Sequence, residues 1–345
     1  MLKPSDKVAI YMQDELNGES GKMGFGAIRY LQNEIVAVID SSQVGQSITK
    51  FITTKKQIPI IATLEEAKAL GANALLLGIA PVGGKIPEKW IPLIENALEL
   101  GLSIINGLHD LLAPRFSEKI KDPETQWIWD VRVPTFTPPI GSGKALTHKG
   151  KRVLFVGTDG AVGKMTTALE LFSALKQKNH KVGFVATGQI GITVTGRGIP
   201  LDAYKVDYAA GSVQAAVMDE ADKDIILVEG QGSLLNPGST ATLPLMRGSC
   251  PTHLVLCMRG DISTLRDYPN IKIPNLADYI KLNEALATVH GTYPAAKVIA
   301  VAVNTSKLND AEAAAVLKRV AEEAEVPATD PVRHGPGTLY KALMG

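Results

Sequence analysis

Short apolar runs alternate with amphipathic segments through the first third of the chain. The runs at 8–12 (VAIYM), 35–40 (IVAVID), 58–62 (IPIIA), 74–79 (ALLLGI) and 103–107 (SIING) have strand length and sit between segments of helical periodicity, the pattern of parallel strands joined by crossover helices. Thr63 and Glu66 make a capping box that starts a helix: a hydroxyl caps the first turn and the acid three residues later reaches back. A helix is expected over 88–100, after Pro87 and before Gly101. From 133 to 151 the periodicity is lost in VPTFTPPIGSGKALTHKGK, rich in turn formers. Beyond it, strands are expected at 152–156, 182–187, 225–229, 254–258 and 298–304, with a helix over 164–178. The expected organisation is a first α/β domain at 1–135, a linker at 136–150 and a second α/β domain at 151–345.

Composition agrees with two cores. A chain of 345 residues, 45% hydrophobic and 21% charged, is ordinary globular material and long for a single domain. Lys and Arg number 36 against 35 for Asp and Glu, so there is no broad positive field for nucleic acid, which is not expected as a partner. The start, MLKPSDKVAIYMQDE, lacks the basic and apolar segments of a secretory leader, and no apolar run has the length of a membrane span. Cys250 and Cys257 are too few for a disulfide scaffold or a zinc site. They read as small core residues in or beside a strand. No metal site is expected, and the cytoplasm is the expected compartment.

The chemistry is concentrated after the strand RVLFV. There the chain reads Gly157, Thr158, Asp159, Gly160, Ala161, Val162, Gly163, Lys164, Met165, Thr166 and Thr167, and an amphipathic helix follows. Glycines let backbone amides turn inward, those amides and the helix start favour anionic oxygens, and Lys164 adds a positive charge: the strand, loop and helix of a phosphate-binding motif. The usual GxxxxGK[ST] pattern is departed from twice. Thr158 stands five residues before Gly163, and Met165 occupies the place of the hydroxyl that holds Mg²⁺. A second apolar strand, DIILVEGQGS, ends on Glu229, where ligands of parallel sheets bind.

The loop together with VEGQGS resembles the dethiobiotin synthetase and cobyrinate synthetase branch of P-loop proteins. A longer resemblance is to the two-domain family typified by DgcN, the D-glutamate N-acetyltransferases. It is carried by GIAPVGGK (78–85), SIINGLHDL (103–111), WDVR (129–132), the phosphate loop, GIPLDAYKVD (198–207), VEGQGS (228–233) and ATDPVR (328–333). The resemblance implies an α/β chain with an N-terminal Rossmann-like parallel sheet followed by a C-terminal P-loop NTPase-like parallel sheet. It also implies transfer of an acetyl group from acetyl-CoA to the amine of a small acidic amino acid, D-glutamate being the one expected. The 3′-phosphate and pyrophosphate of CoA are anions that such a loop can hold without catalytic Mg²⁺.

Acetyl transfer calls for a proton acceptor and for donors to the developing oxyanion. Glu229, Asp202, Asp207, His109 and Asp110 are the candidate bases. Arg197, Arg259 and Arg333 are candidates to hold a substrate carboxylate or phosphate. Asn304 and Thr305 end the last long strand, where a purine is often read. Gly24 and Gly26 follow the first strand, but Arg29 stands where the dinucleotide fingerprint needs its third glycine. Two other functions compete: an ATP-dependent ligase or kinase with Mg²⁺ on Thr166 and Glu229, and a nucleotide sensor without turnover. A homo-oligomer is expected, as two open α/β sheets commonly assemble.

Overall fold

The computed structural model describes residues 2–18 and 20–345. In chain order the first stretch runs β1 (Val8–Tyr11), α1 (Lys22–Tyr30), β2 (Ile35–Ile39), β3 (Ile60–Ile61), α2 (Leu64–Ala69), β4 (Ala74–Leu77), α3 (Ile91–Glu99), β5 (Ser103–Asn106), α4 (Ala113–Phe116) and β6 (Ile128–Asp130). The second runs β7 (Lys151–Gly157), α5 (Lys164–Gln177), β8 (Val182–Val185), α6 (Gln189–Thr195), α7 (Val206–Asp219), β9 (Ile225–Val228), α8 (Thr242–Ser249) and β10 (His253–Arg259). It closes with β11 (Thr264–Leu265), β12 (Tyr268–Lys272), α9 (Leu276–Thr288), β13 (Lys297–Asn304), α10 (Asp310–Ala324), β14 (Ala328–Thr329) and α11 (Gly337–Met344). Two compact units result. One comprises Met1–Val133 with Gln189–Pro200, the other Pro134–Gly188 with Leu201–Gly345.

Among the described residues, the first unit holds a six-stranded sheet in the order β3-β2-β1-β4-β5-β6, parallel at each pairing. Ala9, Leu75, Leu77 and Ile104 meet Leu64, Ile94 and Leu98 in one core, while the alternate positions Ile10, Leu76 and Ile105 are also fully buried. Both faces are therefore covered, which is why these strands read as continuous apolar runs. The Thr63 capping box is formed. The helix expected over 88–100 opens as a 3-10 turn at Glu88–Trp90 before becoming α3, since Pro at its second position and the burial of Trp90 tighten the entry.

The strand order is that of the dinucleotide-binding fold, in which ligands lie at the switch between β1 and β4. Here that crevice is closed. Gly24 N donates to Gly78 O at 2.8 Å and Ala80 N to Ser20 O at 2.8 Å. Met12 fills the space between, so that a Cβ at Gly24 would fall on its sulfur and one at Gly78 would stand 2.7 Å from it.

In the second unit the six-stranded order is β14-β13-β10-β7-β9-β8, again parallel. The stretch 136–147 lies along α7. Gln214 Oε1 accepts from Ser142 N at 3.0 Å and Lys144 N at 2.8 Å, and a Cβ at Gly211 would coincide with the Pro139 carbonyl oxygen. Arg152, 2% exposed, anchors the start of β7 by donating to Ser249 O and Cys250 O at the end of α8 and to His148 O. Cys257 lies in β10 and Cys250 just beyond α8 with φ of 42°, both buried. The short strands β6 and β14 and the hairpin β11–β12 are additions to the sequence expectation. No helix among the described residues is long and apolar enough to cross a membrane. Gly211→Ala should lower the unfolding free energy by about 3 kcal/mol or more, measured by urea denaturation, because the added carbon has a carbonyl rather than a flexible side chain to displace.

Candidate active site: the phosphate loop and the end of the Glu229 strand

β7 ends at Gly157 and α5 begins at Lys164, and the turn between them needs left-handed backbone at Ala161 (φ 51°) and Gly163 (φ 106°). A Cβ built on Gly160 or Gly163 meets nothing within 4 Å, so the amide face of the loop is approachable. The loop is fastened from beneath. Tyr279 of α9 donates its hydroxyl to Gly157 O at 2.9 Å, Thr158 N donates to Cys257 O at 3.0 Å, and Ser233 Oγ donates to Thr158 O at 3.1 Å. Asp159 is the outer anchor: its carboxylate accepts from Gly160 N at 2.6 Å, from Asn236 Nδ2 at 2.8 Å and from Arg266 N at 2.9 Å. Thr158 Oγ1 is buried and has no hydrogen-bond partner among the described residues.

Lys164 is 6% exposed and donates from Nζ to Asp159 O at 2.7 Å. Burial pushes its pKa down to about 8, against the opposing pull of Cys257, Asp159 and Glu229. Glu229, one residue beyond β9 and 3% exposed, accepts at Oε2 from Thr187 N (2.9 Å) and Gly188 N (3.2 Å). Its Oε1 has a longer contact of 3.4 Å with Gln231 Nε2. Burial raises its pKa to about 7 despite those amides and Lys164. The two groups thus sit in one electrostatic neighbourhood and share one cause of perturbation: each is costly to keep charged out of water. Burial also drives the Cys257 thiol up to about 11, which leaves it inert.

The other residues proposed from sequence fall in several places. Asn304 ends β13, where its Oδ1 accepts from Ser306 N at 3.0 Å. Arg333 turns into the protein: Nε donates to Thr305 Oγ1, Nη2 to Thr305 O and Leu308 O, and Nη1 to Asp310. Asp330 ties this corner together by accepting from Thr305 N and Oγ1 and from the Val332 and Arg333 amides. Burial is the largest single influence on Asp330, yet those hydrogen bonds prevail and hold its carboxyl below the ordinary range. Asp202 and Asp207 are exposed near the start of α7. Arg259 forms an ion pair with Asp261. His109 and Arg197 belong to the first unit, both exposed, and Arg197 O accepts from Thr195 Oγ1 at 2.7 Å. The structure places Glu229 beside Lys164 of the loop, and sequence reasoning passed over Asn236, Tyr279 and the Arg266 amide. These reach the loop across 77 to 122 residues of chain, and no local pattern marks them.

A parallel sheet carrying a strand, a glycine-rich turn, a buried lysine and a helix defines a P-loop protein, here joined to a Rossmann-like unit. A family model for the DUF1611 C-terminal P-loop domain, a domain of unknown function, matches residues 139–340, and the model for the DUF1611 N-terminal Rossmann-like domain matches residues 41–134. The chain belongs to the DUF1611 family. It is similar to the D-glutamate N-acetyltransferase of Tritonibacter scottomollicae, at 40% identity over 81% of this chain and 84% of that one. It is also similar to the enzyme of the same name from a Pseudoalteromonas species, at 36% identity over 81% and 83%. The crystal structure of a DUF1611 family protein from Anabaena variabilis superposes with a TM-score of 0.94 at 41% identity, covering 99% of both chains. On this kinship the chain is an enzyme of the acyltransferase class. Asp159→Ala removes the shared acceptor of three donors and should cost about 3 kcal/mol of unfolding free energy, whereas Tyr279→Phe, losing one hydrogen bond, should cost about 1. Urea denaturation of the two variants separates these outcomes.

Proposed function

We propose that the chain transfers the acetyl group of acetyl-CoA to the amine of a small acidic amino acid, with D-glutamate as the first choice. Met165 carries this reading on the structural side: the loop keeps Gly163 and a buried lysine while the position that would place a hydroxyl on Mg²⁺ bears a thioether. The names of the two relatives support the same chemistry. The residues present fit the phosphates of CoA, because the Gly160 and Gly163 backbone is open to close approach and Lys164 can exchange the Asp159 carbonyl for a phosphate oxygen.

Bound acetyl-CoA supplies an acyl carbon activated as a thioester. The chain's part is to hold it and to manage one proton. Glu229 takes the proton of the substrate amine as its nitrogen bonds to the acyl carbon. The C–S electron pair leaves on sulfur, which is then protonated from solvent. A carboxyl raised to about 7 is well matched to that task near neutral pH, and Oε1, with its single long contact, retains capacity for a proton. The cytoplasm and a homo-oligomeric working form accompany this reading as expectations of the sequence.

Calorimetric titration should show binding of acetyl-CoA in preference to ATP with Mg²⁺, and free thiol should appear when D-glutamate is added. Preference for Mg²⁺-ATP would instead favour a ligase or kinase. Lys164→Ala should weaken acetyl-CoA binding about 100-fold, and Glu229→Gln should lower kcat by about 10²–10⁴ with affinity for acetyl-CoA little changed. The signs of the two pKa values set a bell: kcat/KM rises as Glu229 loses its proton through about 7 and falls as Lys164 loses its charge above about 8. A flat profile from pH 6 to 9, roughly the span these groups cover, would remove both from the reaction.

A further inference from the structure

Two residues beyond Glu229, in the loop after β9, Gln231 carries its side-chain amide back to the carboxylate. Its Nε2 stands 3.4 Å from Glu229 Oε1 and 3.3 Å from Thr187 Oγ1. Both contacts are longer than the usual N–H···O distance of about 2.9–3.0 Å, so the amide is poised at two acceptors and held firmly by neither. Chemistry sets which end of the amide points there. An ionised carboxylate only accepts, and the Thr187 hydroxyl gives its own proton to Glu229 O at 2.8 Å, so the NH₂ end alone suits the place. Gly188 makes the room: a Cβ there would stand 2.5 Å from Gln231 Nε2. The loop is fixed on both sides of Gln231. Glu229 N donates to Val185 O at 3.0 Å, and Ser233 Oγ is tied to the Thr158 carbonyl of the phosphate loop, with Gly232 in left-handed backbone (φ 60°) between them. Gln231, half-buried, therefore lies on the short bridge from the carboxylate to the phosphate loop.

The carboxylate itself does not depend on this amide. Burial, the Thr187 and Gly188 amides and Lys164 act on the Glu229 carboxyl, and both backbone hydrogen bonds fall on Oε2. Acyl transfer creates a further need. As the amine nitrogen bonds to the acyl carbon, the C=O π pair moves onto oxygen while a proton leaves nitrogen for Glu229 Oε1. A donor already in place in a site largely closed to water is what stabilises such an oxygen. Nitrogen and oxygen are at that moment substituents of one tetrahedral carbon, two bonds apart. Oε1 and Nε2, an acceptor and a donor 3.4 Å apart, can serve that pair side by side. Return of the oxygen pair restores C=O, and sulfur leaves with the C–S pair.

We propose that the Gln231 amide is the donor to the developing oxyanion, a catalytic group distinct from the base at Glu229. The role rests on the acetyl-transfer reading and gives it a second side chain. In the resting protein Nε2–H caps Oε1; the incoming amine takes that place and turns the donor to the acyl oxygen.

The test compares wild type with Gln231→Met, which keeps the length of the side chain and removes the donor. Thiol release from acetyl-CoA with D-glutamate is expected to fall about 100-fold in kcat, with KM for both substrates and the calorimetric affinity for acetyl-CoA changed by less than about threefold. Infrared titration of the ligand-free variant is expected to leave the Glu229 carboxyl at about 7. Gln231→Asn, which keeps an amide but draws it back by a methylene, is expected to lose about tenfold in kcat, and it reports where Gln231→Met does not fold. Turnover within about threefold of wild type in the folded variants overturns the role alone. So does a loss of turnover accompanied by a Glu229 midpoint displaced by about one unit or more, which would make Gln231 a support for the base. A wild-type chain that releases no thiol overturns the acetyl-transfer reading, and this role with it.

Discussion

The Lys164 side chain lies in a slot that two glycines leave open, and the second unit is arranged around that fact. A Cβ at Gly157 would stand 3.1 Å from Nζ, and one at Gly230 would stand 2.9 Å from Cδ while striking the Phe155 carbonyl. With those positions bare, an ammonium passes beneath its own loop and reaches Asp159 O. Holding a charge there out of water is expensive unless hydrogen bonds and an opposite charge surround it. Glu229, itself held by the Thr187 and Gly188 amides, provides the opposite charge. The two bare glycine positions therefore set the depth of the lysine, and that depth is the burial that lowers its pKa.

Much of this was legible in the sequence because it is local. Glycines, lysine and helix start follow one another within eleven residues, and Glu229 ends an apolar strand beside small residues. The order of strands and helices was readable for the same reason, since long apolar runs in a parallel sheet need little context. What escaped is non-local. β6 is three residues long and gains its strand identity from pairing with β5, and β14 does so from β13. The anchors of Asp159 come from a loop and a hairpin whose own sequences say nothing of a phosphate loop. Arg333 shows the opposite limit. Its position after a strand end suggested an outward-facing cation, but Thr305, Leu308 and Asp310 surround it with acceptors, and tertiary structure decided its direction.

The two units show one architecture put to different uses. In both, the strands are parallel and their carboxyl ends feed the loops that lead into the helices. In the second, a glycine-rich turn follows the central strand β7 and the lysine closes over it. In the first, the corresponding turn after β1 has become a packing element: Glu15 accepts from Ser20 N, and Met12 fills the crevice. The loops after β4 and β5 are strapped together in the same way, Asp110 accepting from the Ile86 amide and the His109 amide donating to Gly84 O.

The stretch Gln189–Pro200 packs with the first unit although the chain on either side of it belongs to the second. The polypeptide therefore passes between the units three times rather than once. Neither half is a bead that can be cut from a string: a gene exchange at the 133–134 junction would carry off α6, which packs against α1.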